Sequence, residues 1–143
     1  VQSVFSPGAD AVLVPLMASA QKSIHAELYQ FSFPELREAL ADASKRGVDV
    51  RLILDPTVNS NLDTAAFLKS RGVQVRWSSQ DYKYTHAKSA VIDGMKVIVG
   101  SINWSRNAMR NNREAAVVGD SERTAAEFEG VFAEDWAKAS EVK

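Results

Sequence analysis

Cysteine is absent from the 143 residues, histidine occurs twice and proline four times. Without cysteine there is no thiol nucleophile, no disulfide and no thiolate metal site. With only His25 and His86, a metal centre would have to be built from carboxylates, and neither EF-hand nor His-Glu-x-x-His spacing occurs. No metal and no cofactor are therefore expected. No apolar run is long enough to cross a bilayer, so no integral membrane segment is expected either. The chain opens on Val1 rather than Met, as a form processed by removal of a leader or an excised piece would. Periplasmic or secreted placement would suit the first case; the compartment is left open.

A large charge imbalance is also missing: the formal net charge is −1. Its distribution is uneven. Residues 1–68 sum to −3 and residues 115–143 to −4, whereas residues 69–114 carry nine Lys/Arg against three Asp/Glu, a local +6. An anionic substrate is expected to dock on that middle block. Apolar residues at 45% and charged residues at 24% describe one globular domain over 1–143, large enough for a core without staples.

Residues 1–5 read as a short strand ending at Pro7-Gly8, followed by a helix that Asp10 caps and Pro15 disturbs. Residues 24–31 are strand-like. Ser32-Phe33-Pro34-Glu35 has capping-box spacing ahead of a helix closed by Gly47. Residues 48–54 form an apolar strand, 63–71 an amphipathic helix and 73–77 a strand. A strand over 85–92 meets Asp93-Gly94, a two-residue hairpin signal, and returns over 95–99. A loop with a short helix over 103–109, a strand over 114–118 and a helix begun at Asp120 or Ser121 complete the chain. The order predicts an α/β fold: a single α/β/α sandwich with a central mixed sheet and helices on both faces.

Two residues apart on a strand, His86 and Lys88 project from one side of the sheet. Gly100-Ser101-Ile102-Asn103 and Asn112-Arg113-Glu114 follow. A neutral imidazole is a nucleophile strong enough to attack a phosphodiester and give a phosphohistidine. Lys88 would neutralise the phosphoryl oxygens, Ser101 and Asn103 would donate hydrogen bonds, and Glu114 would hold the far imidazole nitrogen. The leaving oxygen still needs an acid. His25 lacks a lysine two residues on and reads as a core or strand-edge histidine, so the acid is expected from His86 of a second, identical chain.

His86-x-Lys88-x₄-Asp93 followed by Gly100-Ser101-x-Asn103 resembles the HKD motif of the phospholipase D superfamily. Phe5-Ser6-Pro7, Gly47-Val48-Asp49-Val50-Arg51 and Leu54-Asp55 extend the likeness over essentially the whole chain. Its length and single motif resemble the small bacterial endonucleases of that superfamily and their mitochondrial relatives. The resemblance implies two motifs per site, one histidine as nucleophile and the other as acid, with no metal. It assigns catalysis to His86 and Lys88, phosphate binding to Lys88, Ser101 and Asn103, and orientation of His86 to Glu114. Asp93 and Gly100 belong to the motif, with a structural role expected because the hairpin takes Asp93 off the reacting face. Ser89-Ala90 departs from the bulky apolar residues that follow the lysine in many members.

Lys83 and Tyr84 before the motif, and Trp104 and Arg106 beside Asn103, are further candidates for substrate contact. The expected function is a metal-independent phosphodiesterase, a nuclease acting on DNA or RNA as a homodimer. Three alternatives stand beside it: a phospholipase D or cardiolipin synthase-like enzyme acting on phospholipid, half of a tandem-motif enzyme, and a non-catalytic nucleic-acid-binding domain.

Overall fold

The computed structural model describes residues 1–143 as one eight-stranded mixed sheet with helices on both faces. The elements are β1 (Gln2–Phe5), α1 (Asp10–Ala18), β2 (Ser23–Leu28), α2 (Pro34–Lys45), β3 (Asp49–Leu54), α3 (Ser60–Ser70) and β4 (Gln74–Trp77). They continue with β5 (Lys88–Ile92), β6 (Lys96–Gly100), β7 (Ala115–Asp120), α4 (Glu122–Lys138) and β8 (Ser140–Glu141). A π-helical turn, Asn107–Asn111, precedes β7. Strand order is β1-β7-β6-β5-β2-β3-β4-β8; only β2–β3 and β3–β4 are parallel. The two parallel joins are the ones crossed by a helix, as a strand–helix–strand connection demands.

Side-chain alternation divides the sheet into unequal faces. Ile24, Ala26 and Leu28 of β2, with Ala90 and Ile92 of β5, join a 32-residue core under α1, α2 and α3. Beneath α4 lies a small buried cluster of Val91, Val97 and Ala125, with Val99 and Phe128 half-buried beside it. This side is instead pinned by polar contacts. His25 presents Nδ1 to Glu129 Oε2 at 2.7 Å and Nε2 to Asp49 Oδ2 at 2.9 Å, and stacks on Phe132. Burial pushes the Asp49 carboxyl up, but hydrogen bonds from His25 and Arg51 outweigh it and hold it below the ordinary value.

The β5–β6 hairpin forms at Asp93-Gly94, and both residues have positive φ, 57° and 65°. Ser121 caps α4 by accepting the Thr124 N–H. Three local expectations fail. Asp10 does not cap α1: it is the helix's first residue, and Ala9 holds the cap position without a side-chain bond. Ser32 does not cap α2: Trp104 O accepts the N–H groups of both Ser32 and Phe33, and Phe33 occupies the cap position without a side-chain bond. The strand expected from residue 85 begins at Lys88, because Thr85 N is drawn to Asp55 Oδ2 at 2.7 Å instead of entering the ladder. His86 therefore sits on the extended approach to β5.

Candidate active site

β5 runs antiparallel to β2, with Lys88 opposite Leu28, so the His86 segment emerges beyond the C-terminal end of β2. In a sheet with parallel strands, the ends where strands give way to loops are where side chains escape the packed layers. Here the backbone is held on both sides of His86. Asp55, just past β3 and 1% exposed, accepts Thr85 N, while Ala87 O accepts Tyr29 N at 3.0 Å. The His86 ring itself is exposed.

Lys88 Nζ lies 2.9 Å from His86 Nδ1 and donates to His86 O at 2.8 Å. With the ammonium charged, it donates to the ring and occupies an imidazole lone pair. Burial pulls the Lys88 ammonium below the ordinary lysine value, and the negative charge of Glu114 partly restores it. His86, Lys88 and Glu114 thus share one electrostatic neighbourhood.

The Glu114 carboxylate does not reach His86, contrary to the expected bond. Its Oε1 accepts from Ser101 Oγ at 2.7 Å and its Oε2 from Asn112 Nδ2 at 3.2 Å, so both oxygens are engaged. Ser101 Oγ also accepts Ala115 N at 3.1 Å. Behind this group lies Ser6, fully buried, whose Oγ donates to Asn112 O at 2.6 Å and accepts Glu114 N at 2.7 Å. Gly100 lets the strands close up here: a Cβ would stand 2.3 Å from Ala115 O and 2.5 Å from Ala116 Cα. Asn103 is half-buried, and its Oδ1 is enclosed without a partner in the protein. An enclosed amide oxygen without a donor is costly, and few such groups occur in native structures.

The other candidates divide. Lys83 and Tyr84 are exposed, with Lys83 Nζ 5.9 Å from the Tyr84 ring centre. Arg106 is exposed as well. Trp104 is not: it is 2% exposed, packed edge-on to Phe31 at 5.1 Å, and its backbone bridges Phe31. It anchors the loop from inside and is corrected from contact residue to core residue. Asp93 lies at the far end of β5, where its carboxylate accepts the N–H groups of Gln21, Lys22 and Ser23. Burial pushes it up, but these donors hold the carboxyl below its ordinary value.

His86 also borders a cleft of about 530 Å³ between α4 and the sheet, lined by His25, Glu27, Tyr82, Val131 and Phe132 among others. Burial and the neighbouring Asp135 carboxyl push Glu27 up to about 8. Sequence reasoning missed Tyr29. Its ring lies 4.6 Å from that of His86 and 5.4 Å from Lys88 Nζ. An aromatic closing β2 was the available signal, but the pairing of β2 with β5, sixty residues on, is not written locally.

Residues 13–136 match the family model described as "Cardiolipin synthase, PLD-like domain", and the chain belongs to this phospholipase D-like family. The superfamily indicated by the motif is the one that the chain matches along most of its length. It defines a phosphodiesterase class.

Mitochondrial cardiolipin hydrolase of Canis lupus familiaris is 33% identical over 132 residues, covering 92% of this chain and 52% of that protein. Phospholipase D of Rickettsia conorii is 30% identical over 134 residues, covering 90% and 65%. The chain spans about half the length of the mitochondrial cardiolipin hydrolases it matches. Nuc, a phospholipase D family member from Salmonella typhimurium, superposes with a TM-score of 0.93 at 28% identity, covering 99% of this chain and 97% of that one. NucT from Helicobacter pylori shares the fold, with a TM-score of 0.84 at 22% identity and 99% coverage of both chains.

Proposed function

We propose that the chain hydrolyses nucleic-acid phosphodiesters through a phosphohistidine, in a site completed by a second copy of itself. The observation that carries this reading is the His86–Lys88 pair, exposed and 2.9 Å apart, with Ser101, Asn103 and Glu114 on neighbouring strand ends. A bound phosphate competes with His86 for the Lys88 ammonium, which frees the imidazole lone pair as the charge on the phosphoryl oxygens is neutralised. His86 attacks phosphorus and the P–O bond to the leaving group breaks. The leaving oxygen takes a proton from His86 of the second copy, which then deprotonates water to cleave the P–N bond. Asn103 binds the phosphate through its amide N–H, and Ser101 joins it when its hydroxyl turns from Glu114 to a phosphoryl oxygen. Glu114 aligns Ser101 and supports the charge on Lys88. Lysine and hydrogen-bond donors supply the positive field, so the cycle requires no metal.

Neither acid within the chain suits the leaving group. His25 has both ring nitrogens committed to carboxylates, and Glu27, opposite Ser89, is three residues (roughly 10 Å) along the ladder from His86. The apolar mouth of the cleft, with Tyr82 and Val131 exposed, is the surface we assign to the second copy. The +6 block over 69–114 and the exposed Lys83, Tyr84 and Arg106 favour a polyanion as substrate.

The lipid reading rests on the names of the relatives, cardiolipin hydrolase and phospholipase D. Single-stranded DNA, RNA and cardiolipin vesicles, offered to a sample whose mass is measured in solution, distinguish the two. The nuclease reading expects a mass twice 15.7 kDa, cleaved nucleic acid with chelator present, and net retention at a chiral phosphorothioate. Cardiolipin cut while nucleic acid stays whole would replace it. Inversion would remove the covalent step.

The lowered Lys88 sets an alkaline limb of its own, apart from the one set by the acid histidine. Above its pKa the ammonium is lost, so kcat/KM falls at a lower pH than an ordinary lysine would give. Removing the negative charge of Glu114 lowers that pKa further. Glu114→Gln therefore moves the alkaline limb down and Lys88→Arg moves it up, as read from kcat/KM against pH.

A further inference from the structure

We infer that Tyr29 is a positioning residue: its ring is the shelf that holds the His86 imidazole and the Lys88 ammonium against each other. This rests on the phosphodiesterase reading for its catalytic consequence but not for its structural content.

The backbone of Tyr29 is fixed at both its N–H and its carbonyl. Its N–H donates to Ala87 O, the residue between His86 and Lys88. Its carbonyl accepts Asn61 Nδ2 at 2.9 Å, and the same amide group donates to Asp55 O at 2.9 Å. Asn61 Oδ1 accepts Phe31 N at 2.9 Å, so this fully buried side chain of α3 ties the ends of β2 and β3 into one block. Asp55 in turn clamps Thr85. The block sets where the backbone of His86 lies, and leaves its exposed ring to be oriented by what it touches.

That ring meets Lys88 through a hydrogen bond and Tyr29 through an aromatic contact. The Tyr29 ring meets the imidazole at 4.6 Å between centres with a 48° tilt, and its face looks toward Lys88 Nζ at 5.4 Å. Tyr84 packs edge-on against its other flank at 6.1 Å. The aromatic face attracts the ammonium and blocks rotamers that would swing the imidazole away. An exposed nucleophile is thus kept in one orientation by an aromatic surface. The ring does this work, and the hydroxyl does not enter the argument.

Tyr29→Leu and Tyr29→Phe, each compared with the unaltered protein, test it. Tyr29→Leu is expected to lower kcat by about 10- to 100-fold with little change in KM, because misorientation is paid in the chemical step. Tyr29→Phe is expected to restore kcat to within about threefold, as its ring makes the same contacts. NMR of the His86 ring supplies a readout that needs no turnover. In Tyr29→Leu the ring should average over rotamers and lose its contacts to Lys88, while Tyr29→Phe keeps them. A His86 ring equally fixed in Tyr29→Leu, or a Tyr29→Phe variant as impaired as Tyr29→Leu, would overturn the proposal. If the unaltered protein cleaves no phosphodiester, the functional reading fails, and the ring dynamics still decide the role of Tyr29.

Discussion

His86→Ala is expected to reduce kcat by about 10⁴-fold or more while changing substrate affinity only a few-fold. In the proposed cycle the imidazole supplies the nitrogen lone pair that attacks phosphorus, so its loss cannot be offset by better binding. In the proposed paired site the substitution removes nucleophile and acid together. The ring is exposed, so the melting temperature should move little, which separates this effect from unfolding. Single-turnover cleavage together with a binding titration checks the result. Activity within tenfold of the unaltered protein would remove His86 from the centre of the mechanism.

Gly100→Ala is expected to be sharply destabilising, because among the glycines it alone would place a Cβ closer than 3.0 Å to its surroundings. Gly100 pairs with Ala116 across β6 and β7, and the added Cβ would lie 2.3 Å from Ala115 O, 2.5 Å from Ala116 Cα and 2.7 Å from Ala116 Cβ. Two of these are main-chain atoms, which no rotamer change can move aside. The ladder must open at the place where Ser101 N donates to Ala115 O and Ser101 Oγ meets Glu114. Overpacking against backbone of this kind should cost roughly 3 kcal/mol or more. For a domain of this size that is about 10 °C in Tm. Thermal unfolding followed by circular dichroism reads it, and residual activity at low temperature should also be lost because Ser101 is displaced.

The layout of the sheet was largely legible because its signals are local. Asp93-Gly94 supplies the two positive φ values of the hairpin, and Ser121 supplies a cap four residues before a buried alanine. The motif residues converge because β5, β6 and β7 are antiparallel neighbours in the sheet, β5 and β6 through a tight hairpin and β6 and β7 across the longer segment 101–114. What failed depended on partners distant in sequence. Ser32 looks like a cap until Trp104, seventy-two residues on, takes its N–H. Trp104 looks available until Phe31 covers it. Glu114 faces the site as expected, but Ser101 and Asn112 claim its oxygens before His86 can. Tyr29 was invisible for the same reason, since its importance lies in the register of β2 against a strand sixty residues away.

The two margins of the sheet are closed by β1, of four residues, and β8, of two. So brief a fringe offers a foreign strand few open amides and carbonyls to copy. Recruitment by sheet extension, the common route to fibrous aggregation, is thereby discouraged at both ends. A twin of this chain is left to approach by stacking broadside against a layer rather than by lengthening the weave.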